Sequence, residues 1–550
     1  MFYLVAGSFI AVFVILSAIN SSKKKKEKIA DQIRAGWGKA KTGTFAFERI
    51  ERYATMSGGN GFHRVSSQTM NDIDFLELFS FIDRTNSKIG QQFLFNQLLH
   101  PSNNQKALEI LNKRALLFTN DQQLRENVQK ELIRLSDSDA YFVTSLLEKK
   151  LLERPSWLNL VYVSIFSVVA LLALSIVNPI FLILLLLPLT INSFVHYWNK
   201  TNTFLFLRSF PQLSLLINVC DNVSPKNLHY NVEDVKESIT ALKPFMWKMG
   251  FISMSPGGSI KDELGQVATY LVELLRGFLL IEVVMLFELI KELETKRDSI
   301  QTLFDYVGNI DTALSVASLR AGDLKTCTPE FTPPMRELRV KKIYHPLITN
   351  CVKNDLHVKD KSILITGSNM SGKTTFLRTV AVNSLLAQTI YTCFADEFQS
   401  PMLRPYCSIR IDDSILEGRS YYYQEVHTMG LLIKEAHSPF QNLYLLDEVF
   451  KGTNTIERIA AAKATLSYLN QGANLVIVST HDLELPSMLQ DQFDLYHFSE
   501  SIENDQLHFD HKIKPGPLLT GNAIRILEMS NYPEKIINEA RDLSLTLSSS

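Results

Sequence analysis

The chain has 550 residues, of which 46% are hydrophobic and 21% are charged, a composition that excludes a globally disordered protein. With about 150 residues per domain, this length predicts roughly three or four domains. The formal net charge of −1 excludes the overall basicity of many nucleic-acid binders, although a local basic groove would suffice to bind DNA. The five scattered cysteines include no C-x-x-C pair, so they indicate neither a disulfide framework nor a zinc site and favour a reducing compartment.

The chain begins with an uncharged apolar run at residues 2–19, which has the length of a helix that crosses a hydrocarbon core of about 30 Å. A cleaved signal peptide is the alternative, but such peptides carry positive charge before the run. Here the positive charges follow it, at Lys23, Lys24, Lys25, Lys26 and Lys28. Because lysines mark the cytoplasmic flank, we predict a transmembrane anchor at residues 1–20, with its N-terminus outside, and a basic juxtamembrane segment at residues 21–70.

A second apolar block, residues 156–198, contains no Asp, Glu, Lys or Arg. The pair Asn178-Pro179 divides it into two runs, which predicts a transmembrane helical hairpin with its turn at Asn-Pro. The alternative is a buried helix pair of a soluble protein. Basic residues flank both ends, and Trp157 and Trp198 lie where an aromatic belt would. We therefore expect a multi-pass protein of the inner (cytoplasmic) membrane that contacts lipid through three transmembrane segments.

A third apolar stretch, residues 277–290, is interrupted by Glu282 and Glu288. Charges at membrane depth are costly, so this stretch favours a helix packed within protein. Mixed charged and apolar residues at helical spacing predict an all-α core, with a first part at residues 71–155 and a second, lever-like part at residues 199–330.

The pattern changes after a proline-rich stretch at residues 326–334. Short apolar runs occur at residues 362–366, 443–446 and 475–479, with helical spans between them. This alternation predicts an α/β domain at residues 331–550, built on a parallel sheet that helices cover.

One loop of this domain has the sequence of a nucleotide-binding P-loop. Residues 367–374 match G-x-x-x-x-G-K-[ST] between an apolar strand and a helix, which is the context that the motif requires. The backbone amides of the loop and of the new helix would surround the phosphates of ATP. We expect Lys373 to contact the β- and γ-phosphates and the Thr374 hydroxyl to ligate Mg²⁺. The predicted nucleotide-binding residues of the loop are Gly367, Ser368, Asn369, Met370, Ser371, Gly372, Lys373, Thr374 and Thr375.

Three further motifs complete the predicted site. Asp447 and Glu448 end an apolar strand, so Asp447 is predicted to hold Mg²⁺ and Glu448 to polarise the attacking water. His481 ends another strand, at the edge where open α/β sheets bind ligands, and is predicted to be a catalytic residue that senses the γ-phosphate. Ser420 precedes a helical span; it is either a simple N-cap or a cap that leaves the helix N-terminus open to an anion.

These motifs together resemble the ATPase domain of the MutS family. The resemblance rests on their order: G-S-N-M-S-G-K-T-T, E-G-R-S-Y-Y-Y-Q-E, L-L-D-E-V-F-K-G-T-N-T and S-T-H-D. Transporter ATPases would show an S-G-G-Q-type signature shortly before Asp447, and the sequence has none. Upstream, residues 74–101 are similar to the start of the family's core domain, and Y-H-P-L-I at residues 344–348 also fits.

The resemblance implies a P-loop ATPase of the ABC type that uses ATP and Mg²⁺ as a homodimer, with composite sites across the subunit interface. On this analogy Asn369 is the family's loop asparagine, Glu448 its hydrolytic glutamate and His481 its catalytic-site histidine. Ser420 would reach the γ-phosphate bound by the partner subunit, and residues 452–455 would line the dimer seam. The predicted membrane topology would place the ATPase domain in the cytoplasm.

The sequence also departs from the mismatch-repair members of the family. F-A-F-E at residues 45–48 lacks their Phe-x-Glu spacing, and too few residues precede the core for their mismatch-reading domain. The membrane hairpin is predicted near the place where the family carries its DNA clamp. Two hypotheses follow: a membrane-anchored ATPase that engages mismatched or branched DNA in a repair-type role, or a membrane-tethered regulatory or structural ATPase that clamps a protein or lipid partner. A transporter comes third.

Overall fold

The structure is a computed structural model of the chain, and it divides into two compact units. It describes residues 20–548 except 22, 25–26, 59–60, 149–150, 226–227, 254–277, 279, 369, 411–420, 483, 504–505, 519–523, 525–526, 529 and 531. The helical unit comprises Met1–Gly58, Asp83–Asn96 and Lys113–Leu319; the sheet unit comprises Gly59–Ile82, Gln97–Asn112 and Arg320–Ser550. Nearly all of the predicted anchor lies outside the described residues, and so do Asn369 and Ser420 of the predicted nucleotide site.

The helical unit consists of α-helices with a few 3₁₀ turns. The helices that lie wholly or partly in it are Phe47–Ile50, Arg52–Met56, Lys88–Leu99, Gln105–Asn120, Gln122–Leu132, Leu158–Ser175, Ile180–Leu184, Leu186–Asn202, Phe204–Val223, Val232–Leu242, Met246–Ser253, Ile281–Glu294 and Arg297–Arg320. Side chains cap some of them as their sequence suggests; Asp121, for example, accepts a hydrogen bond from the Leu124 N–H and begins the helix Gln122–Leu132. The predicted helical character of the upstream chain is therefore seen in the structure.

A buried aspartate explains why a serine and a glycine occur in residues 74–101, the segment that resembles the start of the MutS core. Asp311, on the helix Arg297–Arg320, accepts hydrogen bonds from the backbone N–H groups of Asn86 and Ser87, both at 2.7 Å. Gly90 lies so close to it that an added Cβ would be 2.2 Å from Asp311 Oδ2. Because a buried carboxylate needs such donors, the serine and glycine of this segment have a structural role here.

Two described helices are long and apolar enough to cross a membrane, and we call them the hairpin helices. They are Leu158–Ser175 and the nearly continuous run Ile180–Asn202, which comprises Ile180–Leu184 and Leu186–Asn202; in the most apolar 18-residue stretch of each, only 17% is buried. Side chains along them are exposed, including Phe166 at 74% and Phe194 at 73%. The described residues thus contain two candidate spans and not the three predicted, because the first predicted span lies outside them.

The third apolar stretch of the sequence forms the helix Ile281–Glu294, which is not among the candidate spans. Its side chains Val283, Leu286, Leu289 and Leu293 are buried, whereas Glu288 is exposed. The prediction of a helix packed within protein is confirmed for the described part of this stretch.

The sheet unit contains the strands. In chain order they are β1 (Glu330–Phe331), β2 (Glu337–Ile343), β3 (Asn354–Lys359), β4 (Ser362–Thr366), β5 (Glu397–Ser400), β6 (Arg404–Ser408), β7 (Asn442–Asp447), β8 (Leu475–Thr480), β9 (Phe493–His497), β10 (Glu500–Glu503), β11 (Gln506–Phe509) and β12 (Lys514–Pro515). Its helices are Ser67–Asp72, Phe75–Ile82, Lys373–Thr389, Tyr421–Glu435, Thr455–Leu469, Leu485–Leu489 and Glu534–Ser548.

The main sheet has six strands in the order β12-β9-β4-β8-β7-β6. Strands β9, β4, β8, β7 and β6 are parallel to one another, and β4 and β8 are buried at every residue. Strands that are buried on both faces read as unbroken apolar runs, and three such runs in the sequence correctly predicted β4, β7 and β8. Helices Tyr421–Glu435 and Thr455–Leu469 pack on the sheet through Leu432 and Leu466.

The predicted parallel sheet is present, and the structure adds antiparallel strands that were not predicted, including the pair β10-β11. The edge strand β12 runs antiparallel to β9, and a second sheet, in the order β1-β5-β2-β3, is mostly antiparallel. Every second residue of β3 is exposed, so polar residues alternate with apolar ones and no apolar run marks the strand. β1 and β12 have two residues each, too few for any periodicity.

Candidate functional site

The P-loop, residues 367–374, connects β4 with the helix Lys373–Thr389, which we call the P-loop helix. Gly367 has a φ of 141°, and a Cβ added there would lie 2.6 Å from the Phe498 carbonyl oxygen. The Ser371 hydroxyl donates to the Ser368 carbonyl at 2.7 Å and closes the loop on itself. The loop therefore needs glycine at its first position, as the motif has it.

The Lys373 side chain is folded into this loop and is 1% exposed. Its ammonium group donates to the carbonyl oxygens of Gly367 and Ser368, at 2.6 and 2.8 Å. Burial lowers the pKa of Lys373 to about 8, against the nearby charges of Asp447 and Glu448, which raise it. A phosphate group at the loop would stabilise the charged ammonium and would be held by it.

Asp447 and Thr374 meet at the start of the P-loop helix. The Thr374 hydroxyl donates to Asp447 Oδ2 at 2.6 Å, and the Ser479 hydroxyl donates to Asp447 Oδ1. Among the described residues no group of three or more His, Cys, Asp or Glu side chains could hold a metal by itself. Magnesium commonly takes one or two protein oxygens, with phosphates and water as its other ligands. The two side chains therefore fit the Mg²⁺ role predicted for them.

Glu448 and His481 are in direct contact. His481 Nε2 lies 2.6 Å from Glu448 Oε1 and 3.3 Å from Lys373 Nζ. One nitrogen cannot both donate to the carboxylate and accept from the ammonium, so the shorter contact places the proton on Nε2, as a donor to Glu448. Lys451 Nζ lies 2.6 Å from the other oxygen, Glu448 Oε2.

These two donors determine the charge of Glu448. The His481 hydrogen bond, followed by the Lys451 hydrogen bond and both charges, lowers the pKa of Glu448 to about 2, although burial opposes this. The carboxylate therefore stays ionised and can accept a hydrogen bond from water. Its backbone is also unusual, because Glu448 has a φ of 49°, in the left-handed region.

The structure brings together most of the predicted site residues. Those around the loop are Gly367, Ser368, Ser371, Gly372, Lys373, Thr374, Thr375, Asp447, Glu448 and His481. Met370 is 74% exposed and lines a cavity beside the loop. Asn369 and Ser420 lie outside the described residues, so their predicted roles stay predictions.

A cavity of about 520 Å³ lies beside the P-loop and was not predicted from the sequence. The loop side contributes Gly372, Thr374 and Thr375; the other walls include Val352 and His511. The wall residues come from loops far apart in the chain, so no local motif marks them. An apolar wall with an imidazole ring suits a flat aromatic base.

His511 is fixed beside the loop. Its Nδ1 lies 3.1 Å from the Ser371 carbonyl oxygen, and its own carbonyl oxygen accepts from the Asn354 side chain at 3.0 Å. A second cavity, of about 200 Å³, is lined by Glu448, Lys451 and His481 together with Arg458, Thr480 and Asp482. The larger cavity thus lies beside the P-loop, and the smaller one lies beside the Glu448–His481 pair.

The C-terminal part of the chain is similar to known proteins. Residues 363–548 match the family model of MutS domain V. The DNA mismatch repair protein MutS of Thermus thermophilus is 31% identical over 257 residues, which make up 46% of this chain and 30% of that protein. The MutS protein of Natronomonas pharaonis is 29% identical over 263 residues, with 46% and 30% covered. That of Lactobacillus gasseri is 30% identical over 257 residues, with 44% and 29% covered.

The match covers about 30% of the length of these curated relatives. It coincides with the parallel strands, the P-loop and the pair of acidic residues at the end of β7, which the structure places together. Residues 363–548 thus match MutS domain V, whose fold is that of an α/β P-loop ATPase, and the C-terminal half of the chain is similar to MutS proteins.

Proposed function

We propose that the chain is an ATPase that binds ATP with Mg²⁺ and hydrolyses it. The observation that carries this proposal is that two pairs of side chains in contact lie at one phosphate-binding loop. Thr374 contacts Asp447, and Glu448 contacts His481, both at 2.6 Å. Each pair matches a requirement of phosphoryl transfer: oxygen ligands for a metal, and an oriented group for the attacking water.

Each side chain has a defined task in this proposal. Lys373 exchanges its bonds to Gly367 and Ser368 for bonds to the nucleotide phosphates. Thr374 and Asp447 would hold Mg²⁺, which would neutralise phosphate charge. Glu448 orients the attacking water by accepting one of its protons in a hydrogen bond, and His481 donates toward the γ-phosphate or toward Glu448. Both Glu448 oxygens contact donors in this structure, namely Lys451 and His481. For the water to bind, one of these donors must therefore move away from its oxygen, or the oxygen must accept from the donor and the water together.

The nucleotide base occupies the larger cavity in this proposal. The cavity begins at Gly372 and Thr374, next to the phosphates, and extends to Val352 and His511. An adenine ring would stack against the imidazole ring, and its other face would contact apolar atoms.

We infer that two copies pair through the surface around the nucleotide loop. Ile456, Met370 and Tyr423 are exposed by 83%, 74% and 55% in the single chain. Large exposed apolar side chains beside a functional site are typical of an interface. In such a dimer Ser420 and residues 452–455 would lie near the nucleotide of the partner subunit, as the family resemblance implies.

The ATP cycle is proposed to serve DNA binding, with mismatched or branched DNA as the ligand, in a repair-type role. The names of the similar proteins from Thermus thermophilus and Natronomonas pharaonis, DNA mismatch repair protein MutS, support this. The exposed hairpin helices favour a second candidate, a membrane-tethered regulatory ATPase that clamps a protein or lipid partner. Both candidates place the chain in the inner (cytoplasmic) membrane, with its ATPase domain in the cytoplasm.

One experiment separates these two candidates. The full-length chain in detergent would be assayed for ATP hydrolysis with no DNA, homoduplex, mismatched duplex and branched DNA, at low and at moderate salt. A DNA ligand predicts faster hydrolysis with mismatched or branched DNA, and binding that weakens as salt rises. Equal rates in all four samples, without DNA binding even at low salt, would favour the membrane-tethered regulator.

A further inference from the structure

A buried carboxylate outside the predicted site lies against the loop that carries Glu448. Glu425 belongs to the helix Tyr421–Glu435 and is 2% exposed. Its two carboxylate oxygens accept hydrogen bonds from the backbone N–H groups of Lys451 and Gly452, both at 3.1 Å. A carboxylate leaves water at low cost only where other donors replace the water. Here those donors are backbone amides of a single loop.

That loop, residues 448–454, joins β7 to the helix Thr455–Leu469, and its backbone is unusual at two positions. Glu448 has a φ of 49° and Phe450 a φ of 62°, values that residues other than glycine seldom adopt. Consecutive N–H groups next to a left-handed residue can form a concave site for an anion. The Glu425 carboxylate occupies such a site. Burial raises the pKa of Glu425, and the N–H groups of Gly452, Lys451 and Phe450 oppose that rise.

A strained backbone conformation persists only where the surrounding structure fixes it. Glu425 holds the loop three to four residues after Glu448, and the Glu448 N–H holds it at the other end by donating to the Ser479 carbonyl at 3.0 Å. With both ends fixed, the Glu448 side chain is directed at His481. Glu425 itself lines neither of the two cavities beside the P-loop.

We propose that Glu425 is a positioning residue for ATP hydrolysis, which acts by holding the backbone of residues 450–452 so that the Glu448 carboxylate faces His481. The inference rests on the proposed function, since the position of Glu448 matters only if this site hydrolyses ATP. It extends that function, because it adds a residue that neither the P-loop nor the acidic motif contains.

The same contact couples the loop to a helix that follows another predicted site residue. The helix Tyr421–Glu435 begins directly after Ser420 in the chain, and the Tyr422 ring lies 6.4 Å from the Phe450 ring. Further along the helix, Met429 and Leu432 are buried in the core of the main sheet. If the first turn of this helix moved, Glu425 would therefore move the backbone of residues 451 and 452, and with it the Glu448 side chain.

The test compares Glu425→Gln and Glu425→Ala with the unmutated full-length chain in detergent. His427→Ala, at an exposed position of the same helix, is the matched control. The measurements are kcat and KM for ATP, the Kd of a fluorescent ATP analogue and the melting temperature. We expect kcat to fall about 10- to 100-fold in Glu425→Gln, as small misplacements of catalytic groups produce, and further in Glu425→Ala. The Kd should stay unchanged, because Lys373 and the P-loop are intact.

The outcomes separate this inference from the proposed function. An unmutated chain that binds ATP without hydrolysing it would overturn the proposed function. Normal hydrolysis by the unmutated chain together with an unchanged kcat per nucleotide-binding site in Glu425→Gln would overturn the positioning role alone. A raised KM and Kd for ATP with an unchanged kcat would also overturn it. Because glutamine has nearly the shape of glutamate, Glu425→Gln decides the question even if Glu425→Ala does not fold.

Discussion

The strands beneath the nucleotide loop and the hairpin helices are both rich in apolar residues, but they use them in opposite ways. Strands β4 and β8 are buried at every residue, and the polar groups lie at and just beyond their ends, at the P-loop and at His481. In the hairpin helices, Phe166 is 74% exposed, whereas Asn192 is buried completely. The Ser164 hydroxyl donates to Asn192 Oδ1 at 2.5 Å between the two helices.

The opposite exposure of apolar side chains in the two regions is what water and lipid would each favour. In water, apolar side chains turn inward, and polar groups appear where a ligand binds. In lipid, apolar side chains can face outward, and polar side chains are better placed between helices, where they bond to one another. The exposure pattern therefore supports the proposal that the hairpin helices lie in a membrane, and it gives the comparison four experimental tests.

The largest effect is expected at the carboxyl end of β7. Glu448→Gln removes the ionised acceptor for the attacking water, and general-base contributions of this kind are about 10²- to 10⁴-fold. We expect kcat to fall by that factor while the Kd for ATP is kept, as measured by phosphate release and nucleotide binding. Glu484→Gln, at an exposed glutamate of the sheet unit, is the control. An unmutated rate in Glu448→Gln would remove Glu448 from the mechanism.

The next effect concerns the hairpin helices. Phe166→Arg places a charge at the middle of Leu158–Ser175, which costs about 3 kcal/mol for a helix centred in a bilayer. We expect about 100-fold weaker membrane insertion of this helix, measured as the fraction of the hairpin helices that membranes protect from added protease. Leu324→Arg, at a leucine that is 37% exposed in the sheet unit, should leave that fraction unchanged. If Phe166→Arg left it unchanged as well, the helix would not lie in the membrane.

A smaller effect is expected from Lys373. Lys373→Ala removes a charged donor to phosphate, and such contacts contribute about 1.5–3 kcal/mol, so the affinity for ATP should fall about 10- to 100-fold. The free protein also gives a pH test, because burial lowers the pKa of Lys373 to about 8. Above that pH the free ammonium loses its proton, so ATP affinity should decline as pH rises and binding should take up a proton.

Calorimetry at pH 8.5 in buffers of different ionisation enthalpy would measure that uptake. Lys373→Arg is the matched control, since arginine stays charged throughout this range. Affinity that is level from pH 7 to pH 9.5 in the unmutated chain would mean that the phosphates do not contact this ammonium group.

The smallest of the four concerns the surface around the loop. Ile456 is 83% exposed and follows the residues predicted to line the dimer seam. If a second copy buries it, Ile456→Ala should weaken ATP-dependent dimerisation about tenfold, from the loss of roughly 1.5 kcal/mol of apolar burial. Sedimentation with ATP would measure this, with Met488→Ala as the control at a side chain that is 52% exposed. Equal dimerisation of both variants would place the interface elsewhere.

The sequence predicted those parts of the fold and site that local patterns encode. Unbroken apolar runs marked β4, β7 and β8, and the spacing of glycines and lysine marked the P-loop. Asp447 and His481 were found because both follow apolar strands, and parallel strands bring their carboxyl ends to one edge.

The remaining parts depend on contacts between distant residues. The second sheet was missed because β3 alternates exposed and buried residues. The wall of the larger cavity pairs Val352 with His511, and no spacing in the sequence relates the two. Glu425 was present in a quoted motif, but its role depends on hydrogen bonds to Lys451 and Gly452 that only the folded loop creates.

The left-handed backbone of Glu448 implies a conformational cost for any side chain at this position. At a φ of 49°, a residue with a Cβ loses about 1–2 kcal/mol relative to glycine. Glu448→Gly should therefore melt at a higher temperature than Glu448→Ala, and the two variants share the loss of contacts to His481 and Lys451. Neither should hydrolyse ATP. The glutamate at position 448 therefore bears a backbone cost that glycine would not, and its contacts to His481 and Lys451 act against that cost.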